Sequence, residues 1–253
     1  MIKMKTAIVI GATSGIGREV ARRLAADGWR VGAAGRREEK LIQLQNECGA
    51  ECVAYEVMDI TRPDALDALD RLLEKTGKPD LFLHVSGVGR QNRQLDETID
   101  VAVMETNCTG LARVLPHILN YVKAHPGYTS ANPAHIAVVT SVAGTMGMGV
   151  SAAYSASKKM QSTYVSALCQ LCRMEKIPVR LSDIRPGFVA TDILNPQHHY
   201  PMMMTVEEAA GHILRGLKRK RRVILFDWRY RILVAFWRLI PRWLWERLDI
   251  HSN

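Results

Sequence analysis

Short apolar runs alternate with longer amphipathic stretches along most of this chain. Such runs, bounded by turn residues, are typical of strands buried inside a parallel sheet. The predicted strands are Lys5–Ile10, Arg30–Ala34, Glu51–Val57, Asp80–Val85, His135–Thr140, Val179–Arg185 and Val223–Phe226.

The stretches between these runs have the periodicity of helices with one apolar face. Strands that alternate with helices in one block indicate an α/β fold with a doubly wound parallel sheet. We therefore expect a single domain over residues 1–227 and a C-terminal helical extension over residues 228–253. The predicted helices are Gly17–Asp27, Arg37–Cys48, Pro63–Lys75, Thr98–Ala124, Ala152–Lys176 and Thr205–Arg215.

Composition places the chain among globular proteins. Of 253 residues, 47% are hydrophobic and 23% are charged, which excludes disordered, collagen-like and coiled-coil classes. The five cysteines are too few and too irregular for a disulfide scaffold. The first apolar run leads directly into a glycine turn, and no window is long and uncharged enough to span a membrane. We therefore expect a cytoplasmic protein with reduced thiols.

The net charge of +9 is concentrated near the C-terminus. Residues 215–247 contain eleven Lys or Arg and two acidic residues, whereas the rest of the chain is balanced. Four of the five tryptophans lie in the same region, at positions 228, 237, 243 and 245.

A glycine-rich turn, GATSGIG, joins the first predicted strand to the first predicted helix. Free N–H groups and the positive end of a helix dipole bind a pyrophosphate, and glycines allow it to approach closely. The turn therefore predicts a dinucleotide site, with an ordinary strand-to-helix turn as the alternative. Its candidate contact residues are Gly11, Thr13, Ser14, Gly15, Ile16 and Gly17.

The end of the second predicted strand indicates which dinucleotide binds. An NAD site needs a carboxylate there for the ribose hydroxyls, but this position holds Gly35, followed by Arg36 and Arg37. A guanidinium suits a 2′-phosphate, so Arg36, supported by Arg37, predicts NADP(H). The alternative is a solvated start to a charged helix.

A second group of residues carries acid–base chemistry. Tyr154 and Lys158 are four residues apart on one face of a predicted helix, and a nearby ammonium lowers a tyrosine pKa. Alone, the pair is better explained as a surface contact. Ser141, however, ends the fifth predicted strand, Asn107 lies on the preceding helix, and Pro186–Thr191 follows the sixth strand.

The order and spacing of these motifs resemble those of the short-chain dehydrogenase/reductase family over residues 5–192. The resemblance implies a Rossmann fold, an NAD(P)-dependent oxidoreductase acting on CH–OH groups, and a homodimer or homotetramer. It implies that Tyr154 exchanges a proton with the substrate oxygen and that Ser141 polarises the carbonyl. It also implies that Lys158 lowers the pKa of Tyr154 and holds the nicotinamide ribose.

The resemblance assigns further residues to proton transfer and to cofactor binding. Asn107 would anchor a water that passes protons to Lys158. Asp59 and Ile60 would hold the adenine, although Asp59 is also explained as a helix cap. The implied nicotinamide contacts are Pro186, Gly187, Val189 and Thr191.

The chain departs from the family pattern after the fourth strand. Where the family usually has Asn-Asn-Ala-Gly, this chain has His84-Val-Ser86-Gly87. Ser86 and Gly87 are compatible with packing against the adenosine ribose. His84 is interpreted as a hydrogen-bonded structural group rather than a catalytic one.

Other motifs are interpreted as structural. Cys169 and Cys172 have CxxC spacing inside a helix and no partner pair, so we interpret them as buried thiols. His198 and His199 lack a third ligand, and no metal is predicted. The basic run 218–222 leads into a predicted strand, which favours a solvated helix end over nucleic-acid binding.

These residues favour an NADPH-dependent carbonyl reductase, or the reverse dehydrogenase, over two alternatives. A catalytically silent nucleotide-binding scaffold would not need Tyr154, Lys158 and Ser141, and a membrane-surface module would not explain them. Methionines at 146, 148 and 202–204 predict an adaptable apolar pocket, and hence a bulky lipid-, steroid- or aromatic-like ketone.

The tail sequence WRYRILVAFWRLIPRWLW allows two interpretations. On a helix, Ile232, Ala235, Phe236 and Leu239 share one face, and Pro241 should end that helix or begin a second. This helix pair either packs on the domain or a sister subunit, or lies on an anionic membrane surface.

Overall fold

The computed structural model describes residues 4–192 and 200–249. Its strands form one parallel sheet in the order β3-β2-β1-β4-β5-β6-β7, which confirms the predicted doubly wound fold. Strand ends differ from the predicted ones by at most two residues. The strands are β1 (Thr6–Ile10), β2 (Arg30–Gly35), β3 (Val53–Val57), β4 (Leu81–His84), β5 (Ala134–Val139), β6 (Val179–Pro186) and β7 (Val223–Phe226).

Helices cover both faces of this sheet. A π-helical segment, Glu105–Thr109, joins two of them, so the predicted helix Thr98–Ala124 is one stretch with a widened turn. The helices are α1 (Gly15–Ala26), α2 (Glu38–Cys48), α3 (Ala65–Thr76), α4 (Glu97–Met104), α5 (Gly110–Ala124), α6 (Ala152–Met174), α7 (Val206–Lys218), α8 (Trp228–Trp237) and α9 (Arg242–Trp245).

Two apolar clusters form the core, one on each face of the sheet. Successive residues of a strand point to opposite faces, so Ala7 and Val9 of β1 join one cluster and Ile8 and Ile10 join the other. A strand buried in this way has no polar face, which explains the continuous apolar runs in the sequence.

The strand order positions the functional site. Strands β2 and β3 lie on one side of β1, and β4 to β7 lie on the other side. The connections on the two sides of β1 therefore diverge, which leaves a crevice at the carboxyl edge of the sheet. The glycine turn after β1 and the chain segments after β4, β5 and β6 all meet at this edge.

The C-terminal extension packs on the domain. Tyr230 and Val234 of α8 are buried in the same cluster as β1 and α1 residues. Pro241 precedes α9, as its position in the sequence predicts. No helix among the described residues has both the length and the apolar character required to cross a bilayer.

Candidate active site

The turn between β1 and α1 depends on its glycines. Gly11 and Gly15 have φ values of 99° and 51°, a region that L side chains rarely adopt. A Cβ at Gly17 would overlap the Gly11 carbonyl oxygen, and one at Gly11 would lie 2.6 Å from the Ser86 nitrogen. The chain can therefore turn tightly against the end of β4 only with glycine at these positions.

The N-terminus of α1 suits an anion. Ser14 is its N-cap but makes no side-chain cap bond, and no acidic residue occupies the first turn, which contains Ile16. The first N–H groups of the helix and its positive dipole end are therefore open to an anionic group.

Arg37 lies directly beside this turn. Its Nη2 donates to Thr13 Oγ1 at 3.0 Å and to Ser14 Oγ at 2.7 Å. Arg36 is exposed next to it, at the end of β2. The structure thus gives Arg37 direct contact with the glycine turn, although the sequence ranks Arg36 first.

Asp59 and Ile60 follow β3 at the same edge. The Asp59 carboxylate accepts hydrogen bonds from the backbone N–H and hydroxyl of Thr61, so it already caps a local turn. Ile60 is buried against Gly110, and its carbonyl oxygen accepts from Arg113.

A buried polar cluster links the π-helical segment to α6. The Asn107 side chain accepts from the Val88 N–H at 2.9 Å and donates to the Ser157 hydroxyl at 2.9 Å. A Cβ at Gly87 would lie 3.2 Å from both the Asn107 amide oxygen and Lys158 Nζ. Two predicted site residues from distant parts of the chain, Asn107 and Lys158, therefore meet at Gly87.

Gln161 belongs to this cluster, although the sequence analysis did not select it. Lys158 Nζ donates to its side-chain oxygen at 2.9 Å, and the Gln161 amide donates to the Asn107 carbonyl at 2.8 Å. It is fully buried three residues after Lys158 on the inner face of α6. A polar residue at that spacing from a catalytic lysine is the signal that could have identified it.

Tyr154 and Ser141 lie next to each other, and Tyr154 is adjacent to Lys158 of this cluster. Burial raises the pKa of Tyr154, and a side-chain hydrogen bond with Ser141 partly lowers it. Ser141 Oγ also accepts from the Ala143 N–H at 3.1 Å.

Lys158 lies near Tyr154, but burial is the largest influence on the Tyr154 pKa. Its ammonium donates to Val139 and Gln161 and lies 5.7 Å from the centre of the Tyr154 ring. Burial lowers the pKa of Lys158 itself to about 8. The described residues thus favour a protonated Tyr154 beside a lysine that titrates close to neutral pH.

His84 differs from the hydrogen-bonded group that the sequence predicts. At the end of β4 it is 1% exposed, and neither ring nitrogen has a hydrogen-bond partner among the described residues. Burial, with a smaller contribution from the Lys158 charge, lowers its pKa to about 3, and the backbone of Ser86 only weakly opposes this. His84 is therefore a neutral and unsatisfied group, because strand alternation directs it into the apolar layer that contains Phe82.

The segment after β6 is held by a residue from the C-terminal extension. Tyr230 Oη accepts from the Phe188 N–H at 3.0 Å and donates to the Pro201 carbonyl at 3.0 Å. A Cβ at Gly187, which follows Pro186, would overlap the Tyr230 ring. Tyr230 thereby links Phe188 to Pro201, a contact that local sequence patterns cannot show.

The remainder of this segment reaches the glycine turn. Val189 forms a β-bridge with Met204, and a Cβ at Gly15 would lie 3.0 Å from the Thr191 methyl group. Met204 is itself buried in the core, which reduces the number of methionines available to line a pocket.

The remaining predicted motifs lie apart from this cluster. Cys169 and Cys172 lie inside α6, and burial raises the pKa of Cys172. His198 and His199 fall outside the described residues. Within the described ranges, no group of three or more His, Cys, Asp or Glu could hold a metal ion.

Comparison with known proteins gives matches that cover most of the chain. The family model described as short chain dehydrogenase matches residues 5–200. An uncharacterized oxidoreductase of Myxococcus xanthus (strain DK1622) is 32% identical over 249 residues, spanning 96% of this chain and 95% of its own length.

Solved structures show the same architecture. A variant of actinorhodin polyketide ketoreductase, solved with NADPH, is similar at 25% identity with a TM-score of 0.71, covering 84% of this chain and 89% of that chain. A short chain dehydrogenase/reductase from Burkholderia phymatum, solved in complex with NAD, has a TM-score of 0.78 and 21% identity. That alignment covers 99% of this chain and 97% of the other, and at this identity it supports the fold alone.

Proposed function

The chain belongs to the short-chain dehydrogenase/reductase family of NAD(P)-dependent oxidoreductases, and on that premise we propose that it reduces a bulky apolar ketone with NADPH, or catalyses the reverse oxidation. One observation carries the proposal. Three separate parts of the chain converge at the carboxyl edge of the sheet: the π-helical segment with Asn107, the turn after β5 with Ser141, and α6 with Tyr154 and Lys158.

The residues at this edge fit a dinucleotide. The glycine turn and the open N-terminus of α1 would hold the pyrophosphate, and Ser86 and Gly87 would lie against the adenosine ribose. Asp59 and Ile60 would contact the adenine. Bound there, the nicotinamide supplies or accepts the hydride. The segment with Pro186, Gly187, Val189 and Thr191 would lie along that ring.

Proton transfer would belong to Tyr154. Its raised pKa keeps the phenol protonated at neutral pH, which suits a donor to the substrate oxygen during reduction. Ser141 would donate to the same oxygen. Lys158 would hold the nicotinamide ribose and exchange protons with a water anchored at Asn107.

The preference for NADPH would come from Arg36, supported by Arg37. Neither Gly35 nor its two arginine neighbours offers a carboxylate to the ribose hydroxyls, and Arg37 already lies against Thr13. Arg36→Ala should weaken NADPH binding by about 1.5–3 kcal/mol, as for a lost hydrogen bond to a charged group, and spare NADH. Equal losses for both cofactors in a fluorescence titration would contradict this assignment.

The apolar substrate, the assembly and the location are also proposals. Met146 and Met148 lie half-buried in the loop after Ser141, where they can adapt to a large ketone. We propose a homodimer or homotetramer without nucleic-acid partners. Five free thiols support a cytoplasmic location.

A turnover assay tests the reaction. NADPH oxidation would be followed with a panel of ketones that includes lipidic and steroidal compounds. Tyr154→Phe should lower kcat by about 10²–10⁴ and leave NADPH affinity nearly unchanged. Tyr164→Phe is a matched control, because it removes a hydroxyl from a half-buried position of the same helix, outside the polar cluster. Wild-type turnover in Tyr154→Phe would exclude Tyr154 as the proton donor.

A further inference from the structure

Helix α8 has two apolar faces. Tyr230 and Val234 point into the domain, whereas Trp228, Ile232 and Phe236 are exposed on the opposite side. A helix advances about 100° per residue, so Ala235 and Leu239 continue that exposed side. These five residues, 228, 232, 235, 236 and 239, form what we call the outer face.

The large apolar side chains of the outer face are mostly exposed to solvent. Phe236 is 62% exposed and Leu239 is 76% exposed. Trp243 of α9 and Leu248, three residues after that helix, are exposed as well. Of the seventeen exposed large hydrophobic side chains in the described residues, seven lie between 228 and 248. Clustering of this kind marks an interaction surface.

Arginines border this surface on both sides. On the helical wheel, Arg229 lies on one flank of the outer face, and Arg231 and Arg238 lie on the other. The Arg247 guanidinium lies over the Trp243 ring, 5.4 Å from its centre. An apolar stripe bordered by arginines and tryptophans matches the boundary between lipid headgroups and acyl chains.

A cationic groove opens beside the outer face, between α7, β7 and α8. Its volume is about 310 Å³, and no acidic side chain is among its lining residues. Four arginines line it: Arg215, Arg219, Arg221 and Arg231. The groove offers phosphate-binding guanidinium groups next to an apolar surface.

We propose that the outer face and this groove dock the enzyme on an anionic lipid bilayer. The apolar side chains would enter the interface, and the guanidinium groups would bind lipid phosphates. Each basic residue near an anionic surface adds attraction that salt screens.

Charge favours a lipid surface over a second copy of the chain. A symmetric dimer through this face would bring the same arginine-rich patch of both copies together. Residues 215–247 carry a net charge of +9, and the rest of the chain has a net charge of zero. A planar anionic surface satisfies both the charge and the exposed apolar side chains.

The opposite side of the same two helices contacts the candidate active site. Tyr230 holds the segment after β6, and Trp245 Nε1 donates to the Gly147 carbonyl at 2.6 Å, in the loop between Ser141 and Tyr154. Only these two helices would therefore separate a bilayer at the outer face from the segments that border the candidate active site. The docking test below needs no turnover, so it is independent of the proposed reaction.

Vesicle cosedimentation with the full chain tests the proposal. Phosphatidylcholine vesicles with and without phosphatidylglycerol would be compared at about 50 mM and about 200 mM salt, where screening differs. The variant Ile232→Ser/Phe236→Ser/Leu239→Ser leaves Tyr230 and Val234 intact. Its matched control, Leu95→Ser/Val101→Ser/Met174→Ser, removes three exposed apolar side chains elsewhere.

We expect salt-sensitive binding to the anionic vesicles, a loss of at least tenfold in the outer-face variant, and no loss in the control. If the triple variant fails to fold, quenching of wild-type tryptophan fluorescence by spin-labelled anionic lipid gives a second measurement. Equal binding of both variants, or no quenching, would overturn the proposal. So would a wild-type oligomer that ignores vesicles and dissociates in the outer-face variant, which would identify a subunit interface.

Discussion

The buried imidazole of His84 makes the stability of the protein depend on pH. In the folded chain its pKa is about 3, against an ordinary value of about 6.5 once the chain unfolds. As the pH falls below about 6.5, the unfolded chain therefore binds a proton that the folded chain cannot accept. The free energy of unfolding should decrease through this range, and the decrease from His84 should end near pH 3.

The size of this effect follows from the two pKa values. Protonation stabilises the unfolded chain by about 2 kcal/mol at pH 5 but by only about 0.2 kcal/mol at pH 7. The wild type should therefore lose about 2 kcal/mol more stability over this interval than His84→Asn, which cannot titrate. His84 is 1% exposed, so solvent does not screen this contribution.

Urea denaturation of both proteins, followed by circular dichroism at about pH 7 and pH 5, measures the difference. Packing changes in His84→Asn are the same at each pH and cancel in the comparison. His135, whose pKa burial lowers to about 4, is present in both proteins and cancels as well. Equal losses in wild type and variant would show that the His84 imidazole is hydrogen-bonded or protonated in the folded chain.

Two further substitutions test contacts that only the structure shows. Tyr230→Phe leaves the Phe188 N–H without its acceptor, so it should cost about 1–3 kcal/mol of stability and weaken NADPH binding. Tyr164→Phe should do neither. Urea denaturation and cofactor titration measure the two effects, and equal effects in both variants would refute the role of Tyr230. Gln161→Leu removes an acceptor of the Lys158 ammonium, so the Lys158 pKa and the alkaline limb of the kcat/KM profile should move below pH 8. Gln161→Glu should move the same limb upward. A profile unchanged in both variants would show that Gln161 is only structural.

The layout of the sheet was predictable because periodicity is a local property. Strands such as Thr6–Ile10 are buried on both faces, so their runs of apolar residues are visible without knowledge of their neighbours. The glycine turn was predictable for a similar reason. Gly11 and Gly15 adopt backbone angles that disfavour other residues, so their identity reveals the conformation.

The rest of the site depends on contacts between distant parts of the chain. Gln161 acquires its importance from the Asn107 carbonyl, and Tyr230 from Phe188, 54 and 42 residues away. The effect of Lys158 on Tyr154 was predicted from helical spacing, but spacing does not determine where an ammonium donates its hydrogen bonds. Burial then controls both pKa values, and burial is a property of the folded chain.

The C-terminal extension combines two roles that truncation cannot separate. Deleting the chain after Asp227 would remove the outer face, but it would also remove Tyr230, which is buried and holds the segment after β6. A truncated protein would therefore lose cofactor binding and vesicle binding together, whichever surface is responsible. Helix α8 is only weakly amphipathic, because Tyr230 and Val234 make its inner side apolar and Ile232 and Phe236 do the same on its exposed side. Substitutions confined to one face are required to distinguish the two roles, and the exposed positions 232, 236 and 239 allow this without disturbing the core.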